Sequence, residues 1–252
     1  MAWRNKVVYA KPDEQKNWQE IALDTFVDIL SKQRIPIKEE IANELIERLD
    51  VRNLDRNTSL KEVLYSVVDS ITKTYNRHYI KGQTEEKMRM ANLLAQTVEL
   101  QEKDINDLKV AMLLYDIGTI NVPKEILRKK TPLTSDERQI IKSHPAMTQD
   151  ILKSIDDVQD VLPIITSHHE NIDGTGYPNN LKGADIPISS QIILLVDAYY
   201  ALINKRPQRK AYTHEEAIEI IKKDIGRKWD EKLVNEFIPL IEDENRKKQE
   251  RD

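Results

Sequence analysis

Cysteine is missing from this 252-residue chain, which removes disulfides, thiolate metal sites and a cysteine nucleophile from consideration. Glycine is scarce at 6 residues, which disfavours sandwich and barrel folds with their many tight turns. No long apolar run is present either. The longest, residues 192–203, is interrupted by Asp197 and is too short to cross a bilayer, while residues 1–16 are too polar for a signal peptide. A cytoplasmic protein without membrane association is expected. Neither sign of charge dominates: 39 basic and 43 acidic side chains are interspersed, for a net charge of -4, so no chain-wide basic field draws in DNA. What remains is 33% charged residues and 39% hydrophobic ones in short periodic groups, the profile of an all-α fold.

Three helical stripes open the chain. Trp18, Ile21, Ala22, Phe26, Ile29 and Leu30 form the first, Ile37, Ile41 and Leu45 the second, and a capping box of Ser59 with Glu62 starts the third. Residues 1–78 are therefore expected to be a small helical unit, suited to dimerisation or docking of a protein partner and without evident chemistry. From residue 79 polar and ionisable residues begin to fall where an amphipathic pattern would not put them. Capping boxes at Thr134 with Glu137 and at Thr213 with Glu216 predict two further helix starts. Residues 171–187 carry Gly174, Gly176, Pro178, Gly183 and Pro187 and predict the one long loop. A second domain over 79–240 and a charged tail over 241–252, frayed into solvent, complete the expected organisation.

Four features could carry chemistry: Asp116 at a helix end after Tyr115, His144, the pair His168 and His169, and Asp197. Any one alone is more economically a cap or a packed side chain. Asp197 differs, because a carboxylate inside an apolar helix is costly to bury unless it is paired or bound to a metal. Adjacent histidines on a helix point about 100° apart and reach one ion only when it lies at the helix end. Imidazoles with carboxylates and no sulfur suit Fe, Mn, Zn or Ni rather than Ca or Mg.

The run His168-His169-Glu170-Asn171-Ile172-Asp173-Gly174-Thr175-Gly176-Tyr177-Pro178 resembles the signature of the HD-GYP family nearly letter for letter. The resemblance extends over residues 113–127, 133–152 and 192–209. It implies an HD-domain helical bundle that hydrolyses cyclic di-GMP at a centre of two or three metal ions, often iron or manganese. By resemblance, Asp116 is the bridging and catalytic aspartate, His144, His168 and His169 are the second-site ligands, and Asp197 is the distal carboxylate. Arg206 matches the phosphate-facing arginine, and Gly174, Gly176 and Tyr177 belong to the substrate-binding loop.

Departures from the pattern are as informative. Tyr115 stands where the HD motif has histidine, Thr119 where a lysine follows, and Gln191 where an arginine is expected. Counting back without a gap places the upstream glutamate and histidine on Tyr79 and Gln83; a short gap moves the histidine to Glu86 or Lys87. One nearly complete site and one depleted site result, with one or two divalent ions expected. At the depleted site either an ion stays, poorly held, or Lys87 supplies a protein cation; Lys87 as a plain surface lysine is the competing reading. The functional expectation is a metal-binding relative of cyclic di-GMP phosphodiesterases with hydrolysis impaired or lost, which binds a cyclic dinucleotide in signalling. The alternative is an active phosphodiesterase with a reduced metal centre.

Overall fold

Helix α1, Gln83–Thr97, buries Met90, Ala91, Leu94 and Ala95, one face of a 3.6-residue repeat, and Lys87 lies one turn earlier on that face. A computed structural model describes residues 83–127, 129–153, 156–205 and 210–250, all within a unit spanning Thr72–Asp252. The expected helical unit over 1–78, its boundary at 79, and Arg206 lie outside the described residues. Those described contain helices and turns but no strand, so the all-α expectation holds.

Helix α2, Glu102–Leu114, opens on Glu102 and Asp104, which favour the positive end of its dipole, and buries Leu108, Ala111, Met112 and Leu113. A 3-10 turn, Ile117–Asn121, and short helix α3, Lys124–Leu127, lead to α4, Ser135–Lys142. Thr134 accepts from the Glu137 backbone while Glu137 accepts from the Thr134 backbone, the capping box expected there. Helix α5, His144–Leu152, follows after a single residue, and α6 spans Leu162–Thr166. Helix α7, Ile188–Ile203, is the axis of the unit. Its Ile192, Ile193, Leu195, Val196, Tyr199 and Tyr200 are buried, and it packs on α1, α2 and α6. A helix apolar nearly all round is a core helix. Helix α8, His214–Lys223, begins at the second expected capping box, Thr213 with Glu216. Helix α9, Glu231–Gln249, buries Leu233, Val234, Phe237 and Ile241.

The charged end behaves differently from its expectation. Residues 241–249 continue α9 instead of fraying, because Ile241 is buried and Asp243 pairs with Arg246 at 2.8 Å and Lys247 at 2.5 Å, one turn on. Glu244 also pairs with Arg89 of α1. The charge run is a helix surface with one anchored edge.

Gly118 fixes where two of the functional segments meet. A Cβ on Gly118 would lie 2.2 Å from the His144 carbonyl oxygen and 2.6 Å from the Thr148 nitrogen, so only hydrogen lets the turn after α2 reach the first turn of α5. Gly118 N–H donates to Thr148 Oγ1 at 2.9 Å, and Thr148 in turn donates to the His144 carbonyl at 2.9 Å or the Tyr115 carbonyl at 3.1 Å. Because the opposing atoms are backbone and cannot step aside, Gly118→Ala is expected to cost about 1–3 kcal/mol, the range for overpacking. Urea unfolding of the variant beside the parent measures it, and an unchanged midpoint would remove this contact from the account.

Candidate metal centre

The three histidines converge from two helix ends. His144 begins α5, while His168 and His169 sit in the turn just past α6, the geometry that lets neighbouring imidazoles share one point. One ligand atom from each lies within 4.8 Å of the others. His144 Nδ1 contacts the Ile141 carbonyl at 2.8 Å and His168 Nδ1 the Ile165 carbonyl at 2.5 Å. A carbonyl only accepts, so both Nδ1 atoms carry the hydrogen and both Nε2 lone pairs are left free. Those Nε2 atoms face each other at 3.1 Å, and Asp116 Oδ1 lies 3.4 Å from His144 Nε2.

Two imidazole lone pairs and a carboxylate oxygen at such range repel unless a cation lies among them. A single shared proton would satisfy the His144–His168 pair alone. A metal ion would engage His169 as well, and Nδ1–carbonyl bonds of this kind are the outer contacts that orient imidazoles toward a metal. The three imidazoles form a donor set that fits a divalent ion, and Asp116 Oδ1 stands beside it at His144.

The rest of the cluster holds the histidines in place. His169 stacks on Tyr177 with ring centroids 4.7 Å apart and planes 26° from parallel, and its carbonyl accepts from Tyr177 N–H at 3.2 Å. Glu170, fully buried, accepts from Asn179 N–H at 2.6 Å and Leu181 N–H at 3.1 Å, pinning both ends of the loop's tip. A Cβ on Gly176 would sit 2.3 Å from the Asn171 nitrogen and 2.4 Å from Glu170 Cα, so this glycine serves close backbone approach. Gly174, at φ +85°, serves a turn closed by Asp173, which accepts from Thr175 N–H at 2.9 Å.

Asp197, also expected among the ligands, lies against Lys87 and Tyr115. Its Oδ1 is 2.7 Å from Lys87 Nζ and accepts from the Tyr115 hydroxyl at 3.0 Å. The Lys87 side chain is 14% exposed, so it is an interior counter-charge and not a surface lysine. Tyr115 is a neutral phenol: burial, then the Asp197 and Asp116 charges, push its hydroxyl well above the ordinary range. Thr119 turns its hydroxyl back to the Asp116 carbonyl at 2.7 Å. Gln191 is buried and donates to the Ile186 carbonyl at 3.3 Å. Gln83 opens α1, one turn before Lys87.

Sequence reasoning missed two participants. Glu170 was visible inside the signature run, but its work for the loop backbone has no periodic signal. Lys142, two residues before His144, holds its ammonium 5.1 Å from the centroid of Tyr177 and reads in sequence as an ordinary helix-end lysine.

Burial chiefly, with the neighbouring His144 adding, pulls His168 from 6.5 down to about 3. Between those values the unfolded chain binds a proton that the folded one refuses, so stability is full above about 6.5 and falls as pH drops through that window. Chelator-treated protein is expected to lose on the order of 1.4 kcal/mol per pH unit through this one group. Urea titrations at pH 7 and 5.5 should show His168→Asn with a shallower loss than the parent; equal slopes would contradict the assignment.

A family model described as HD domain matches residues 66–233. Cyclic di-GMP phosphodiesterase response regulator RpfG of Xanthomonas campestris pv. campestris is 31% identical over 156 residues, covering 61% of this chain and 41% of that protein. 3'3'-cGAMP-specific phosphodiesterase 3 of Vibrio cholerae is 31% identical over 147 residues, covering 58% of this chain and 32% of that protein. The chain thus spans less than half the length of these curated relatives. A solved structure from Bdellovibrio bacteriovorus, described as a HDG"Y"P protein, superposes with a TM-score of 0.55 at 18% identity over 92% of this chain and 74% of that one, a likeness of fold. With the family model covering more than half its length and the signature run intact, the chain belongs to the HD domain family, among its HD-GYP proteins.

Proposed function

We propose that this chain is a metal-binding HD-GYP module that holds one divalent ion, binds cyclic di-GMP or a related cyclic dinucleotide, and has hydrolysis impaired or lost. The observation that carries the reading is the 2.7 Å contact between Lys87 and Asp197. An ammonium lies against the carboxylate that would hold a second ion, and Tyr115 caps the same oxygen. Two ions a few Å apart clamp the attacking and leaving oxygens of an in-line displacement at phosphorus; one ion with a lysine in the other place forfeits that clamp. An ammonium neutralises charge but cannot activate water.

The ion is Fe or Mn by resemblance, with Zn or Ni also suited to imidazole and carboxylate donors. Relatives named for cyclic di-GMP and 3'3'-cGAMP support a cyclic dinucleotide as ligand. Its binding would make the module a reader in nucleotide signalling, with residues 1–78 as the helical unit that pairs with a protein partner or a second copy. A cytoplasmic site fits that role, and among the described residues no helix is long and apolar enough to cross a membrane.

Elemental analysis of protein loaded with Mn or Fe, followed by calorimetric titration and a hydrolysis assay with cyclic di-GMP and 3'3'-cGAMP, tests the reading as a whole. Expected are one ion per chain, lost in His144→Ala, nucleotide binding, and no linear product above that of free metal. Two ions per chain together with steady product formation would overturn it in favour of an active phosphodiesterase.

A further inference from the structure

Lys87 is committed to Asp197 and Thr119 to a backbone carbonyl, so neither offers a charge to an incoming anion. Lys142 does. It is the last residue of α4, with its side chain exposed and its Nζ 5.1 Å from the Tyr177 ring centroid, inside cation–π range. Tyr177 stacks on His169, so the ammonium stands beside a ring that touches the candidate ligand cluster.

Two neighbouring-element lysines differ in being paired: Lys129 with Glu137 at 2.7 Å and Lys153 with Asp150 at 2.8 Å. Among the described residues no carboxylate lies within ion-pair distance of Lys142. Asp197 being neutralised by Lys87, the charges left around the histidine cluster are Asp116, Glu170 of the adjoining loop, whatever ion the imidazoles hold, and this ammonium. Their sum is positive with any divalent ion, and the complementary ligand is an anion. Lys142 hangs on a rigid base: α4 is capped at its start, and only Ser143 separates its end from His144, whose main-chain position Gly118 and Thr148 fix.

We propose that Lys142, over Tyr177, is the phosphate-binding cation of this centre, taking a non-bridging oxygen of a phosphodiester in place of the lysine that Thr119 replaces. This assignment rests on the cyclic-dinucleotide reading above. Tyr177 then acts as the platform that orients the ammonium, and the loop pinned by Glu170 sets its height over the site. One new charge-assisted contact at a partly exposed position changes affinity by about tenfold.

The test uses the full chain loaded with Mn and titrates cyclic di-GMP, then 3'3'-cGAMP, by calorimetry into the parent, Lys142→Ala, Lys142→Arg and the control Lys153→Ala. Support is an affinity about tenfold weaker in Lys142→Ala, largely restored in Lys142→Arg, unchanged in Lys153→Ala, with the same Mn content in all four. If the parent binds and Lys142→Ala binds equally well, the Lys142 assignment falls while the nucleotide reading stands. If the parent binds neither cyclic di-GMP nor 3'3'-cGAMP, the nucleotide reading falls, and the same four proteins are titrated with inorganic phosphate. Weaker phosphate binding in Lys142→Ala alone then upholds the cation site; equal or absent binding overturns it.

Discussion

A carboxylate in the middle of the most apolar helix must have a counter-charge, and the way Asp197 obtains one governs the surrounding structure. Helix α7 is apolar and largely buried, and with the Asp197 side chain only 22% exposed water solvates its charge in part, so a partner is needed. Lys87 reaches it from α1 and Tyr115 from the end of α2. Three helices are thereby tied at one oxygen. Tyr115 also lies edge-on to His168, with ring centroids 5.0 Å apart, so the same side chain that caps Asp197 borders the three-histidine cluster.

The two halves of the centre solve one electrostatic problem by different means. Around Asp197 the protein supplies its own cation. Around His144, His168 and His169 it gathers imidazole nitrogens, the Nε2 atoms of His144 and His168 being 3.1 Å apart, an arrangement that a cation from outside would satisfy. Backbone carbonyls fix both Nδ1 hydrogens, a buried glutamate fixes the loop, and two glycines permit the approach of segments that a methyl group would hold apart. Pre-organisation of this kind is what lets neutral imidazoles stay clustered.

Much of this was legible in the sequence because local chemistry speaks through spacing. Thr134 with Glu137 and Thr213 with Glu216 each announced a helix start that the structure contains, and Asp197 announced its need for a partner by interrupting an apolar run. Lys87 was harder. Its role depends on which residue of α1 faces the centre, and a gap of a few residues rotates that face by a large angle, whereas the tertiary contact resolves it at once. The helical course of 241–249 was hidden because a charge run and a laddered helix surface have the same composition; the buried Ile241 and the contact of Glu244 with Arg89 distinguish them. Lys142 carried no signal, since a cation near a helix C-terminus is ordinary on dipole grounds alone.

A crystal structure of Mn-loaded protein with an anomalous difference map bears most directly on the claim that an ammonium stands where a second ion would. The expected map has one peak, bounded by His144, His168, His169 and Asp116, with Lys87 Nζ still about 2.7 Å from Asp197. A second peak on Asp197, with Lys87 turned away from it, would contradict the claim.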